Sequence, residues 1–306
     1  MARNLKYQLK NTIDRNFQPK MDKHSMKASA QMDATRIFSY ADRTNLIDFT
    51  ANLANFMKES HPEIREVTKI TPEHIQDFLN QKAKNCTTET LKQYSSKFNK
   101  VERLVNDTYS SKVSWSGNYT VPQGYSERSR DIAMTREHFQ ALRNQIQGSR
   151  SQAVVAVELA GKFGVRVAET TKLQGRDIQI REEKMFLHIH ESKGGRSRDI
   201  EVTKQEDKEF LLSLKERYQD YSRIVAIKED SVNAFMRRNL EACGIREYTD
   251  AKTSEHAIRK MVAQERYDEL RESGLSQKES LDRVSEFLGH GENRDELMSH
   301  YIHDIH

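Results

Sequence analysis

The sequence predicts a mainly α fold of the α+β class: an all-helical first domain, then a mostly helical second domain carrying one small antiparallel sheet. Three observations carry this. Only 12 Gly and 4 Pro interrupt 306 residues, too few turn formers for a strand-rich fold. Apolar residues recur at helical spacing over most of the chain. Strict alternation of apolar and polar residues occupies a single stretch. At roughly 100–200 residues per domain the length suggests two domains. The 36% hydrophobic and 31% charged residues permit two cores beneath a highly charged surface.

Residues 1–30 hold 7 Lys/Arg against 2 Asp/Glu and no sustained periodicity, and read as a basic flexible arm. Residues 31–112 form the helical domain. Leu46, Phe49, Leu53 and Phe56 mark one helix. Thr71 caps a second, with Pro72 at its first position and Ile75, Phe78, Leu79 and Ala83 on its inner face. A third starts near Thr88 and carries Leu91, Tyr94, Phe98, Val101 and Val105. Turn formers then concentrate in residues 113–131, a predicted linker. Trp115, the only tryptophan, lies there and is expected to pack on a domain edge.

The second domain spans residues 132–306. Thr135 is the predicted N-cap of a helix with Phe139, Leu142 and Ile146 on one face, and Ala153–Phe163 is apolar nearly all round, as in a buried helix. Met185, Leu187 and Ile189 alternate with Phe186, His188 and His190; Ile200 and Val202 continue the pattern beyond a Gly-rich turn, which makes a hairpin. Helical patterns resume at Phe210–Tyr218, Val232–Leu240, Ala257–Leu270 and Leu281–Leu288.

Several functions are excluded early. Cys86 and Cys243 are far apart and fit no metal-ligand or redox spacing. No apolar run approaches the ~20 residues needed to span a bilayer, and the first residues, Met-Ala-Arg-Asn-Leu-Lys, lack the apolar stretch of a signal peptide. A cytoplasmic protein without membrane association is expected. The net charge of +4 divides unevenly: residues 1–131 carry 21 Lys/Arg against 15 Asp/Glu, and residues 132–306 carry 29 against 31. A polyanion partner for the first half fits this division, although an ordinary soluble surface with a basic tail gives the same sum.

Five segments of the second domain set reactive residues in unusual places. In Gly164-Val165-Arg166-Val167-Ala168-Glu169 an arginine sits between two valines, with Glu169 in reach at i+3. Ser192-Lys193-Gly194-Gly195-Arg196 places a lysine at the hairpin tip, where glycine allows close backbone approach. His256 and Arg259 share a helix face. Gly289 and Gly291 bracket His290 just past a helix, and Tyr301 lies near the end of the chain. Each alone has a plain structural reading: an ion pair, a solvated turn, a capped helix end, an inert tyrosine.

Their order does not. Arg166 with Glu169, Lys193-Gly194 in a hairpin, His256-x-x-Arg259, Leu288-Gly289-His290 and then Tyr301 resemble the catalytic pattern of tyrosine recombinases, the integrase family of phages and mobile elements. Thr135–Phe139 is similar to the family's entry to that domain, and residues 35–109, with Ile70–Ile75, resemble its core-binding domain. The resemblance implies a site-specific DNA recombinase that works through a 3′-phosphotyrosyl intermediate, without metal, ATP or other cofactor. It implies that Arg166 and Arg259 clamp the scissile phosphate, that His290 donates to it, and that Tyr301 attacks phosphorus. Lys193 would protonate the leaving 5′-oxygen, and His256 would serve as base or hold the tyrosine's surroundings. The implied partners are double-stranded DNA target sites, a homotetramer on synapsed DNA, and accessory DNA-bending or directionality factors. Lys92, Lys97, Lys100 and Arg196 are the expected DNA contacts. Two other readings use the same residues: a nicking-closing enzyme like the type IB topoisomerases, and an inactive DNA-binding accessory protein. The His290–Tyr301 gap is longer than the family's usual one, and the sequence given stops five residues beyond Tyr301. Subunit coupling is therefore expected to use another element, or to be weak.

Overall fold

A computed structural model of the chain describes residues 4–19, 36–125, 132–190, 197–251 and 253–306. It divides into two compact units, Met1–Arg128 and Ser129–His306.

The main elements of the first unit, among its described residues, are helices: α1 (Leu5–Arg15), α2 (Tyr40–Ser60), α3 (Pro72–Ala83) and α4 (Thr88–Tyr109). Its core is aromatic. Phe49, Phe78 and Phe98 meet edge to face with centroids 4.8–6.2 Å apart, an arrangement worth more than its buried area alone. Thr71 caps α3 as expected, with His74 rather than an acid reaching back to the cap amide.

Two regions differ from the sequence reading. Part of the expected arm is α1, whose Leu5, Leu9 and Ile13 are buried in this core. Gln8 accepts from the Val67 amide and donates to the Arg65 carbonyl. Three apolar residues at i, i+4 and i+8 are a helical stripe too sparse to stand out among the basic residues around it. The first part of the expected linker is also core. Trp115 is fully buried, its indole N–H donates to the Ile70 carbonyl at 2.8 Å, and its ring meets Phe98. A Cβ on Gly124 would lie 2.2 Å from the Cys86 carbonyl oxygen, so the chain passes there only as glycine.

The second unit packs helices around one small sheet. Its elements are α5 (Arg136–Ile146), α6 (Gln152–Phe163), α7 (Val167–Thr170), β1 (Ile178–Arg181), β2 (Lys184–Ile189), β3 (Arg198–Val202), α8 (Gln205–Arg217), α9 (Glu229–Ala242), α10 (Glu247–Asp250), α11 (Ser254–Glu272), α12 (Gln277–Phe287) and α13 (Asp295–Met298). The sheet is antiparallel in the order β1-β2-β3, with Ile178 opposite Leu187 and Leu187 opposite Ile200. Strand β1 was not anticipated, because its four residues are too few to show alternation. Thr135 caps α5 as expected, and α6 is buried along most of its length. No helix among the described residues is long and apolar enough to cross a membrane.

Candidate active site

Five chain segments of the second unit converge on one cluster. Helix α6 ends at Gly164, whose φ of 58° suits a residue without Cβ. The turn delivers Arg166 to the start of α7, where the Glu169 carboxylate accepts from the Arg166 amide at 2.9 Å and from its Nη1 at 2.8 Å. Glu169 is 4% exposed and also receives a two-pronged bond from Arg198, at 3.0 and 2.9 Å. Burial alone would raise the Glu169 carboxyl. The bonds and charge of Arg198, the Arg166 amide and the charge of Arg259 outweigh burial and hold it well below the usual carboxylate range.

Helix α11 supplies His256 and Arg259. Arg259 is fully buried and donates to the carbonyl oxygens of Gly164 and Leu288, so it fastens the turn before Arg166 to the turn before His290. Burial first, and then the charge of Arg166, lowers its pKa to about 10; it remains a cation at neutral pH. Its guanidinium carbon lies 5.7 Å from the Tyr301 ring centroid.

His290 follows α12 on a turn that needs glycine twice. Gly289 and Gly291 have φ of 76° and 79°, and a Cβ on Gly289 would come within 2.9 Å of Arg198 Nη1. His290 Nε2 lies 3.1 Å from Arg166 Nη2 and 3.3 Å from the Tyr301 hydroxyl. A guanidinium can only donate, so Nε2 accepts from Arg166.

Tyr301 comes in on the turn after α13. It is 6% exposed and packs with Leu281, Val284, Leu288 and Met298. Its ring stands 5.2 Å from that of His256 and 5.3 Å from that of His290, centroid to centroid. Gln264 of α11 accepts from the amides of His303 and Asp304, which pins the chain just beyond the tyrosine. Tyr267 of α11 belongs to the same apolar cluster, but its hydroxyl donates to the His306 carbonyl.

The structure thus brings together Arg166, His256, Arg259, His290 and Tyr301. Lys193 and Arg196 lie outside the described residues. In the first unit Lys92 is exposed on α4, Lys97 lies over the rings of Phe49 and Tyr94, and Lys100 pairs with Asp42 at 2.6 Å.

Two residues of the cluster escaped the sequence reading. Arg198 shares a strand face with the buried Ile200 and Val202; a cation on the apolar face of a short strand was the available signal. Glu255 sits one turn before Arg259 with its Oε1 buried and unpartnered. Burial pushes its carboxyl up to about 7 against the pull of Arg259.

No protein-family model matches the chain, and no curated protein sequence does. Solved structures do match. A lambda integrase dimer bound to a COC′ core site superposes with a TM-score of 0.62 at 18% identity, covering 95% of this chain and 94% of that one. The XerH site-specific recombinase in a post-cleavage complex with palindromic difH substrate gives 0.63 at 16%, covering 98% and 91%. The Tn1549 transposon integrase with transposon right end DNA gives 0.56 at 12%, covering 92% and 94%. All three are tyrosine recombinases. The chain has the tyrosine recombinase fold.

Proposed function

We propose that the protein is a site-specific DNA recombinase that cuts and rejoins DNA through a 3′-phosphotyrosyl intermediate, serving a phage or other mobile element. One observation carries this reading: a buried tyrosine hydroxyl beside His290, in a pocket that also holds two arginines whose other contacts already fix their places. Such an array suits a phosphodiester whose charge grows in the transition state. Arg166 and Arg259 bind the nonbridging oxygens as planar, permanently charged forks. As the phosphate draws Arg166 off His290 Nε2, that nitrogen takes the proton of Tyr301 while Tyr301 attacks phosphorus, and the protonated imidazole then donates to the phosphate. His256, against the ring, positions the tyrosine. Lys193 protonates the departing 5′-oxygen, so charge balances without metal or ATP. The phosphotyrosyl bond keeps the energy of the broken linkage for rejoining.

In this reading the partners are double-stranded target sites and further copies of the chain. A lambda integrase tetramer bound to a Holliday junction is among the matching structures, which supports a tetramer on synapsed DNA. Because the Tyr301 hydroxyl lies on the His290 of its own chain, each subunit cleaves with its own tyrosine.

Denaturing-gel trapping on a diverse pool of nicked duplexes tests the reading. Wild type should form a covalent protein–DNA adduct, with or without EDTA, and Tyr301→Phe should form none. An adduct that persists in Tyr301→Phe, or none from wild type that still binds DNA, overturns it. Relaxation of a nonspecific supercoiled plasmid would instead favour a topoisomerase.

A further inference from the structure

We propose that His61, Glu63 and His74 of the first unit bind a divalent transition metal ion of the Zn²⁺ type. This inference stands apart from the recombinase reading. One ligand atom from each of the three lies within 4.8 Å of the others. The residues come from two places: His61 caps the end of α2, Glu63 follows in the next turn, and His74 is in the first turn of α3. A metal here would staple the exit of one helix to the entry of the next.

The surroundings suit a cation. The two imidazoles stand edge to face with centroids 4.5 Å apart. Carboxylates flank His61 on both nitrogens, Glu63 at 3.9 Å from Nδ1 and Asp77 at 3.5 Å from Nε2. Glu73, Glu63 and Asp77 all lie within electrostatic reach of His74. Two imidazoles and a carboxylate form a familiar donor set for zinc, and three protein ligands leave one position for water.

His74 also has the partner a ligating histidine needs. Its Nδ1 is 3.0 Å from the Thr71 hydroxyl and 3.0 Å from the Thr71 amide. Without metal, Nδ1 accepts from the amide. With metal on Nε2, Nδ1 would carry the ring proton and turn from the Thr71 amide to donate to the Thr71 hydroxyl, the second hydrogen bond that orients a metal-bound imidazole. Cysteine spacing cannot reveal such a site, since its ligands are histidine and carboxylate.

The test uses the full chain, stripped with EDTA and dialysed. ZnCl₂ is titrated by calorimetry, and CoCl₂ is followed by visible absorption. One equivalent of Zn²⁺ should bind, and Co²⁺ should give the intense visible bands of a four-coordinate site. His61→Asn and Glu63→Gln, both outside the Thr71–His74 cap, should each weaken Zn²⁺ binding at least tenfold. His188→Asn, from the other close imidazole pair, should leave it unchanged. Zn²⁺ should raise the melting temperature of wild type and not of His61→Asn. No binding by wild type, or equal binding by wild type and His61→Asn, overturns the proposal.

Discussion

The two units bury opposite kinds of interior. Among the described residues, the polar side chains buried in the first unit are Thr12, Asn16 and Thr50, none of them charged. The second unit buries Glu169, Asp177, Asp207, Arg259 and Lys260. Removing an ion from water costs several kcal/mol even after relaxation, so charge is not buried for stability alone. The first unit is built as a dry aromatic scaffold. In the second, Glu169, Arg198 and Arg259 hold Arg166 and His290 in place beside Tyr301. Buried charge in one unit, and none among the described residues of the other, thus separates the candidate chemistry from the scaffold.

That contrast can be broken by substitution. Glu169→Gln should have the largest effect on stability, about 3–5 kcal/mol at neutral pH, since it leaves the half-buried guanidinium groups of Arg166 and Arg198 without their buried counter-ion. The pH dependence fixes the sign. The folded carboxyl titrates well below its ordinary 4.5, so its contribution is full above that value. It is lost as pH falls through the folded pKa. Urea unfolding at a series of acidic pH values should show this slope in wild type and lack it in Glu169→Gln. An unchanged slope would mean that the pair contributes nothing.

Arg259→Lys keeps the charge and loses the fork. Single-turnover cleavage should slow by about 10²–10³-fold, the usual effect of removing one preorganised donor. Activity near wild type would remove Arg259 from the phosphate clamp.

Glu255→Gln should act in the opposite sense. The folded carboxyl titrates near 7 rather than 4.5, so wild type is penalised as pH rises through that range. The variant should be more stable than wild type above pH 7, by roughly 3 kcal/mol, and the difference should vanish below about pH 4. Equal stability at high pH would contradict a buried, strained carboxylate.

The smallest effect belongs to the scaffold's surface. Lys100→Met breaks the ion pair with Asp42 and should cost less than about 1 kcal/mol in thermal unfolding. A larger loss would show that the first unit also depends on charge.

Legibility followed the same division. Helices α2, α3 and α4 could be read because Phe49, Phe78 and Phe98 recur on helical faces. Helix α1 and Trp115 could not, since each packs through contacts distant in sequence, Gln8 to Val67 and Trp115 to Ile70. In the site, Arg166, His256, Arg259, His290 and Tyr301 were legible as an ordered set of short motifs. Their mutual distances were not, because the buried Arg259 joins Gly164, Leu288 and Tyr301 through contacts that are all distant in sequence. Arg198 and Glu255 lay beyond the motifs, and only the three-dimensional neighbourhood of Glu169 and Arg259 marks them.

The central claim is that one chain furnishes both the tyrosine and the arginines that act on one phosphate. Mixing two inactive variants tests it directly. Tyr301→Phe retains the arginine pocket and lacks the nucleophile; Arg259→Gln retains the nucleophile and lacks the clamp. On a duplex carrying one trapped site and both proteins in excess, the mixture should form no more adduct than either variant alone. Adduct restored by mixing would show that the tyrosine works in a neighbour's pocket, and would contradict the arrangement of Tyr301 on His290.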